Sequence, residues 1–160
     1  MAERPGIEVA VVLEREARPN VWEAWRFRVA EVVPQEDAFG RSPRLLRDDG
    51  KLSSWLYPGF RLELFADEGE GYHLNLSSGA PVWFVMWRID DEDPSLARPE
   101  AVSLSYNEAG RWLDAQERVD NLPLPADIQD WLRAYTDLHY RPEPKRRRRP
   151  ESFKPPEQRG

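Results

Sequence analysis

The sequence predicts an α+β protein: an antiparallel sheet or partial β-barrel of about six strands, two C-terminal helices on its open face, and a disordered basic tail. Three observations predict it. Through much of the chain up to Tyr106, apolar residues alternate with polar ones in runs separated by turn residues. Pro81 to Ile89 is instead apolar on both faces. Val82, Phe84 and Met86 fall to one side and Trp83, Val85, Trp87 and Ile89 to the other, as in a central strand covered on both sides. After Ser105 the apolar spacing becomes helical. Residues 1–140 therefore read as one domain and 141–160 as its tail.

In chain order, Ile7, Val9, Val11 and Leu13 mark a first half-buried strand. A turn around Pro19 leads to a second, from about Val21 to Val33, and the two make a hairpin. Pro34 to Tyr57 reads as a long excursion through Gly40, Pro43 and the Asp48-Asp49-Gly50 turn, with a short strand at Leu52–Leu56. Phe60, Leu62 and Leu64 alternate with Arg61 and Glu63; after a turn at 67–71, Tyr72, Leu74 and Leu76 alternate with His73 and Asn75. Both runs are expected as strands. With the central strand and Ala101–Tyr106 they compose a four-stranded meander.

Ser105 and Glu108 fit a capping box, opening a helix to about Gln116 with Ala109, Trp112 and Leu113 as its stripe. Asn121 to Pro125 reads as an extended linker. A second helix follows, with Pro125 and Asp127 at its N-terminal end. Ile128, Trp131, Leu132, Tyr135 and Leu138 form its apolar face. Beyond Tyr140, proline and charge predict disorder.

Composition narrows the chemistry. There is no cysteine, which excludes disulfides, thiolate zinc sites, cysteine-held iron–sulfur clusters and sulfur relay. The only two histidines, His73 and His139, lie far apart in sequence, which argues against a Ser-His-Asp triad or a His-rich metal site. The expectation is no catalytic residue, no metal and no cofactor. No apolar run nears the roughly 18 residues of a membrane span, and the charged start resembles no signal peptide, so a cytoplasmic protein is expected. From Arg141 onward, eight Lys/Arg stand against three Asp/Glu; residues 1–140 hold 15 against 26, so an acidic body of −11 carries a tail of +5.

Candidate sites follow from these patterns. Asp90, Asp91, Glu92 and Asp93 run consecutively, without the alternate spacing of a calcium loop, and read as a solvated hairpin tip. Trp25, Trp83, Trp87, Trp112 and Trp131 fit buried registers; Trp22 and Trp55 do not, and are candidate partner contacts. Lys145, Arg146, Arg147, Arg148 and Arg149 suit an acidic partner or the acidic body itself, and a nucleic acid as the alternative, which the acidic body disfavours. Gly40, Arg41, Ser42 and Arg44, with Lys51 beyond, faintly resemble the Gly-rich phosphate loop of molybdopterin-guanine nucleotidyltransferases. Phe39 stands where that loop has a glycine, and the strand-by-strand pattern here departs from that family's α/β fold.

A wider resemblance runs through Val102-Ser-Leu-Ser-Tyr-Asn-Glu-Ala109, Trp112-Leu113-Asp114, Val119-Asp-Asn-Leu-Pro-Leu-Pro125, and Trp131-Leu132 to His139-Tyr140 and the basic run. Val9 to Arg15 and Trp25 precede them. This order resembles the bacterial domain-of-unknown-function family numbered 3305. The resemblance implies an accessory role in maturing or assembling a molybdenum-dependent formate dehydrogenase. Together with the exclusions above, the expectation is a non-catalytic adaptor or chaperone whose partner is a formate dehydrogenase subunit or maturation factor. The rivals are an enzyme of molybdopterin-guanine dinucleotide biosynthesis using residues 40–51 and a nucleic-acid-binding regulator using the tail. Exposed sheet edges also leave room for a homodimer.

Overall fold

The computed structural model describes residues 4–18, 22 and 24–141. Its strands are β1 (Gly6–Ala17), β2 (Trp25–Pro34), β3 (Arg44–Asp48), β4 (Leu52–Glu63), β5 (Val82–Ile89), β6 (Ala97–Ser103) and β7 (Arg118–Pro123). Its helices are α1 (Gly69–Leu76), α2 (Tyr106–Asp114) and α3 (Ala126–His139). The strands form two antiparallel sheets, ordered β2-β1-β4-β3 and β6-β5-β7. The fold is α+β as expected, with no closed barrel. Seven strands divide between the sheets, and α1 precedes the two C-terminal helices.

The doubly apolar run is indeed the middle strand of its sheet. Trp83, Val85 and Trp87 join Val9, Val11, Leu13, Phe27 and Val29 in the core between the sheets. Phe84 and Met86 are buried on the other face, where Phe84 meets Tyr106 of α2 edge-on at 6.4 Å. Two seams join the sheets. At one, the Val29 N–H of β2 donates to the Asp120 carboxylate of β7 at 2.8 Å; at the other, the Tyr57 hydroxyl of β4 donates to the Ala97 carbonyl of β6 at 2.9 Å.

Several expectations need correction. The strands expected at 52–56 and 60–64 are one strand, β4. Val9 pairs with Phe60 and Val11 with Tyr57, so Pro58 and Gly59 together oppose Ala10 in a bulge. Pro58 has no N–H to lose there, and Gly59 takes φ +84°, open to glycine at little cost.

The run Tyr72–Leu76 is helix, not strand. Tyr72, Asn75 and Leu76 turn inward at helical spacing, whereas Leu74 is exposed, and a polar inward residue hid the period. Tertiary contact decides it. The Asn75 amide donates to the carbonyls of Val82 and Leu104 at 2.9 and 3.0 Å, and its oxygen accepts from the Val82 N–H at 3.0 Å. Gly71 packs so closely on Ser105 that a Cβ would lie 2.0 Å from the hydroxyl oxygen.

The linker expected at 121–125 holds the second half of an edge strand, β7, paired with β5 from Val82↔Pro123 to Trp87↔Arg118; Pro123 is tolerated at its end. Leu138 and Leu113, expected in buried stripes, are 73% and 58% exposed, and Thr136 is buried in α3, its hydroxyl donating to the Leu132 carbonyl at 2.7 Å. The cap at Ser105 holds in half: its hydroxyl accepts from the Glu108 N–H at 3.1 Å, but the Ser105 N–H donates to Ser103 at 3.0 Å rather than to Glu108. Residues 142–160 lie outside the described residues, as does part of the turn around Pro19.

Candidate functional site

Past the Val29–Asp120 bond, β2 continues to Pro34 while the chain after β7 leaves into α3 at Pro125. Residues of both line a cleft of about 700 Å³. Its apolar lining is Ile7 and Val9 of β1, Val32 of β2, Trp83 of β5 and Ile128 of α3. Val9 and Trp83 are core residues; Ile7, Val32 and Ile128 are half-buried. Among the described residues, β2 is an edge strand of its sheet, with no further strand paired to its outer side.

The cleft's outer wall is the loop from Gln35 to Arg41, and Gln35 holds it in place. Its backbone N–H donates to the Glu8 carbonyl (3.0 Å), its side-chain amide to the Gly40 carbonyl (3.0 Å), and its side-chain oxygen accepts from Gly59 (2.9 Å). The β4 bulge thus exposes the N–H that anchors the wall. Arg41 pairs with Glu8 at 2.8 Å. The remaining charges are Asp37, on a 3₁₀ turn, and Asp127, in the first turn of α3. Both are exposed, and neither has an ion-pair partner within 4 Å among the described residues. An apolar floor under a net-negative mouth is chemistry for an apolar group accompanied by a cation.

The candidates of the 40–51 segment do not converge. Gly40 and Arg41 line the cleft, Arg44 is exposed on β3, and Lys51 sits at the β3–β4 turn with its carbonyl accepting from Ala17 at 2.8 Å. Arg41 is tied to Glu8 and Lys51 to Ala17, nine residues apart along β1, or about 30 Å. Gly40, Arg41, Ser42, Arg44 and Lys51 therefore share no single phosphate-sized cradle. Trp22 is fully exposed in the β1–β2 loop. Lys145 to Arg149 lie outside the described residues.

Trp55 stands in a stack of its own. The Arg15 guanidinium lies 4.4 Å from the Trp25 ring centroid and 4.9 Å from that of Trp55, and donates to the Ser95 carbonyl at 2.6 Å. Arg15 was not singled out from sequence. Register places Trp25 opposite Ala17 and Trp55 opposite Leu13, so the two rings flank Arg15 on neighbouring strands.

The acidic run turns on itself. Asp90 accepts from the N–H groups of Glu92 and Asp93, and Asp93 from the hydroxyl and N–H of Ser95, bonds that lower the Asp93 pKa. No group of three potential metal ligands assembles among the described residues. His73 stacks on Tyr140 (5.3 Å) and His139 on Tyr135 (4.3 Å), so both flank the α1–α3 packing. Burial raises the Tyr72 pKa, and its hydroxyl oxygen accepts from the Phe65 N–H at 3.0 Å.

With this geometry in place, comparison with known families is decisive for membership. Residues 8–149 match the family described as "Protein of unknown function (DUF3305)". The chain belongs to that family. The DUF3305 match includes every residue that lines the cleft except Ile7 and ends at Arg149, the last of the five successive cations. No curated protein and no solved structure matches the chain. No helix among the described residues is long and apolar enough to cross a membrane.

Proposed function

We propose that this DUF3305 protein is a non-catalytic accessory protein, an adaptor or chaperone, whose cleft holds an extended segment of a protein partner. The observation that carries this reading is the cleft itself: an apolar lining beside a free strand edge, with two exposed carboxylates at its mouth. A strand edge suits main-chain pairing with an extended segment, and the apolar lining suits its alternate side chains. Each Leu-sized anchor buried there supplies roughly 1.5–3 kcal/mol. Asp37 and Asp127 favour a segment with Lys or Arg beside those anchors.

The partner proposed is a subunit or maturation factor of a molybdenum-dependent formate dehydrogenase, which rests on the family resemblance. The test is co-purification from the native cell followed by titration of the purified partner. Wild-type protein should bind, and Ile128→Glu and the exposed pair Asp37→Lys/Asp127→Lys should weaken binding at least tenfold, the loss of about 1.4 kcal/mol. Equal binding by all three proteins would remove the cleft from the reading. Binding of guanine nucleotide or pterin, with no such partner, would replace an adaptor with an enzyme.

A further inference from the structure

We propose that the cleft's occupant in the free protein is the chain's own basic tail, residues 145–153, folded back along α3. This deepens the reading of the cleft as a docking groove and rests on it: the tail is what a partner segment displaces. Charge complementarity comes first. The mouth carries Glu8, Asp37 and Asp127 against Arg41 alone, and the exposed residues of α3 include Asp130 and Asp137 with one cation, Arg133. Lys145 to Arg149 bring five successive positive charges, followed by Phe153 as an apolar group for the floor.

Reach agrees. The cleft adjoins the N-terminal end of α3, and the helix's 14 residues set its C-terminal end about 21 Å away. Measured from Tyr140 at about 3.1 Å per residue, Lys145 to Arg149 extend roughly 16–28 Å, and Phe153 about 40 Å. The cations thus draw level with the mouth, and slack remains for Phe153 to turn inward. An occupant tethered this closely competes at high effective concentration, so weak contacts suffice to fill the groove.

The cysteine-free chain permits a direct test on the full-length protein. A nitroxide on Ser152→Cys should broaden away the amide signals of Ile7, Val32 and Ile128, while those of Asp49 and Lys51, at the far end of β1, persist. Adding Asp37→Lys/Asp127→Lys should restore the cleft signals. So should 1 M salt, which shortens screening from about 10 Å to about 3 Å. Cleft signals unbroadened in the parent, or broadened alike with the charges reversed, overturn the assignment. If the tail fails to seat while a formate dehydrogenase segment still binds by way of Ile128, only the tail assignment falls. If the tail seats but partner binding ignores the cleft, the assignment stands and the docking function falls.

Discussion

Arg15 holds the two sheets together at the end opposite the cleft, and removing it should be costly out of proportion to one half-buried side chain. Its guanidinium sits between Trp25 and Trp55 at 4.4 and 4.9 Å and donates to the Ser95 carbonyl, 80 residues away, at 2.6 Å. A cation over an aromatic ring gives about 0.5–1 kcal/mol at exposed sites and more when desolvated. A charge-assisted hydrogen bond adds roughly 1.5–3 kcal/mol. Because the contacts share one guanidinium and are not additive, Arg15→Ala should destabilise by about 3 kcal/mol, a substantial part of a domain's typical 5–15 kcal/mol. Lysine keeps the charge but not the planar fork that stacks and donates at once, so Arg15→Lys should lose more than half as much. The assay is urea denaturation followed by tryptophan fluorescence, with hydrogen exchange at Asp90 and Leu96, whose N–H groups close the β5–β6 hairpin. A loss under about 0.5 kcal/mol, the range of ordinary surface substitutions, with unchanged exchange at the hairpin would refute the clamp.

Three further predictions follow from the same contacts. Asn75 is 2% exposed and makes three hydrogen bonds, so Asn75→Leu should cost about 3 kcal/mol or more in a denaturant titration, since it strands two carbonyls and an N–H. Gly71→Ala places a methyl 2.0 Å from the buried Ser105 hydroxyl oxygen and should cost about 1–3 kcal/mol, partly relieved by adding Ser105→Gly. The Asp49 carboxylate accepts from the N–H groups of Leu52 and Lys51 and pairs with Arg47, which lowers its pKa from 3.8 to about 2. Its folded pKa lies below the unfolded one, so its contribution to the β3–β4 turn is fully present well above pH 3.8 and is lost as pH falls through about 2. Carbon-detected NMR of its side chain should show that midpoint; one near 3.8 would mean that the turn bonds do not form in solution.

Much of the fold could be read locally, and the failures share one cause. The first hairpin, the central strand, the Ser105 cap and the body of α3 each rest on residues within a few positions of one another. Helix α1 was hidden because its inward positions include Asn75, whose cost of burial is offset by carbonyls on β5 and before α2. β7 was hidden because Pro123 and Pro125 interrupt the short alternation of Leu122 and Leu124 and read as a linker; its pairing with β5 makes it a strand. Of the candidate site, Gly40 and Arg41 were singled out for a phosphate loop and line the cleft instead, with Arg41 bound to Glu8. The cleft's other residues, drawn from β1, β2, β5 and α3, carry no motif.

By itself the sequence determined that this is an α+β chain with an antiparallel hairpin, a strand buried on both faces, an acidic body beside a basic tail, and no thiol chemistry. Those properties belong to composition and short-range period, which survive in any fold the chain adopts. The tertiary structure alone decided that the strands split into two sheets, that Arg15 lies between two tryptophans, and that the seam opens into a cleft. Each depends on groups 38 to 91 residues apart, such as Val29 with Asp120 and Arg15 with Ser95, meeting in one register. Local period does not encode which distant strand lies alongside; burial of both faces of β5 at once selects it.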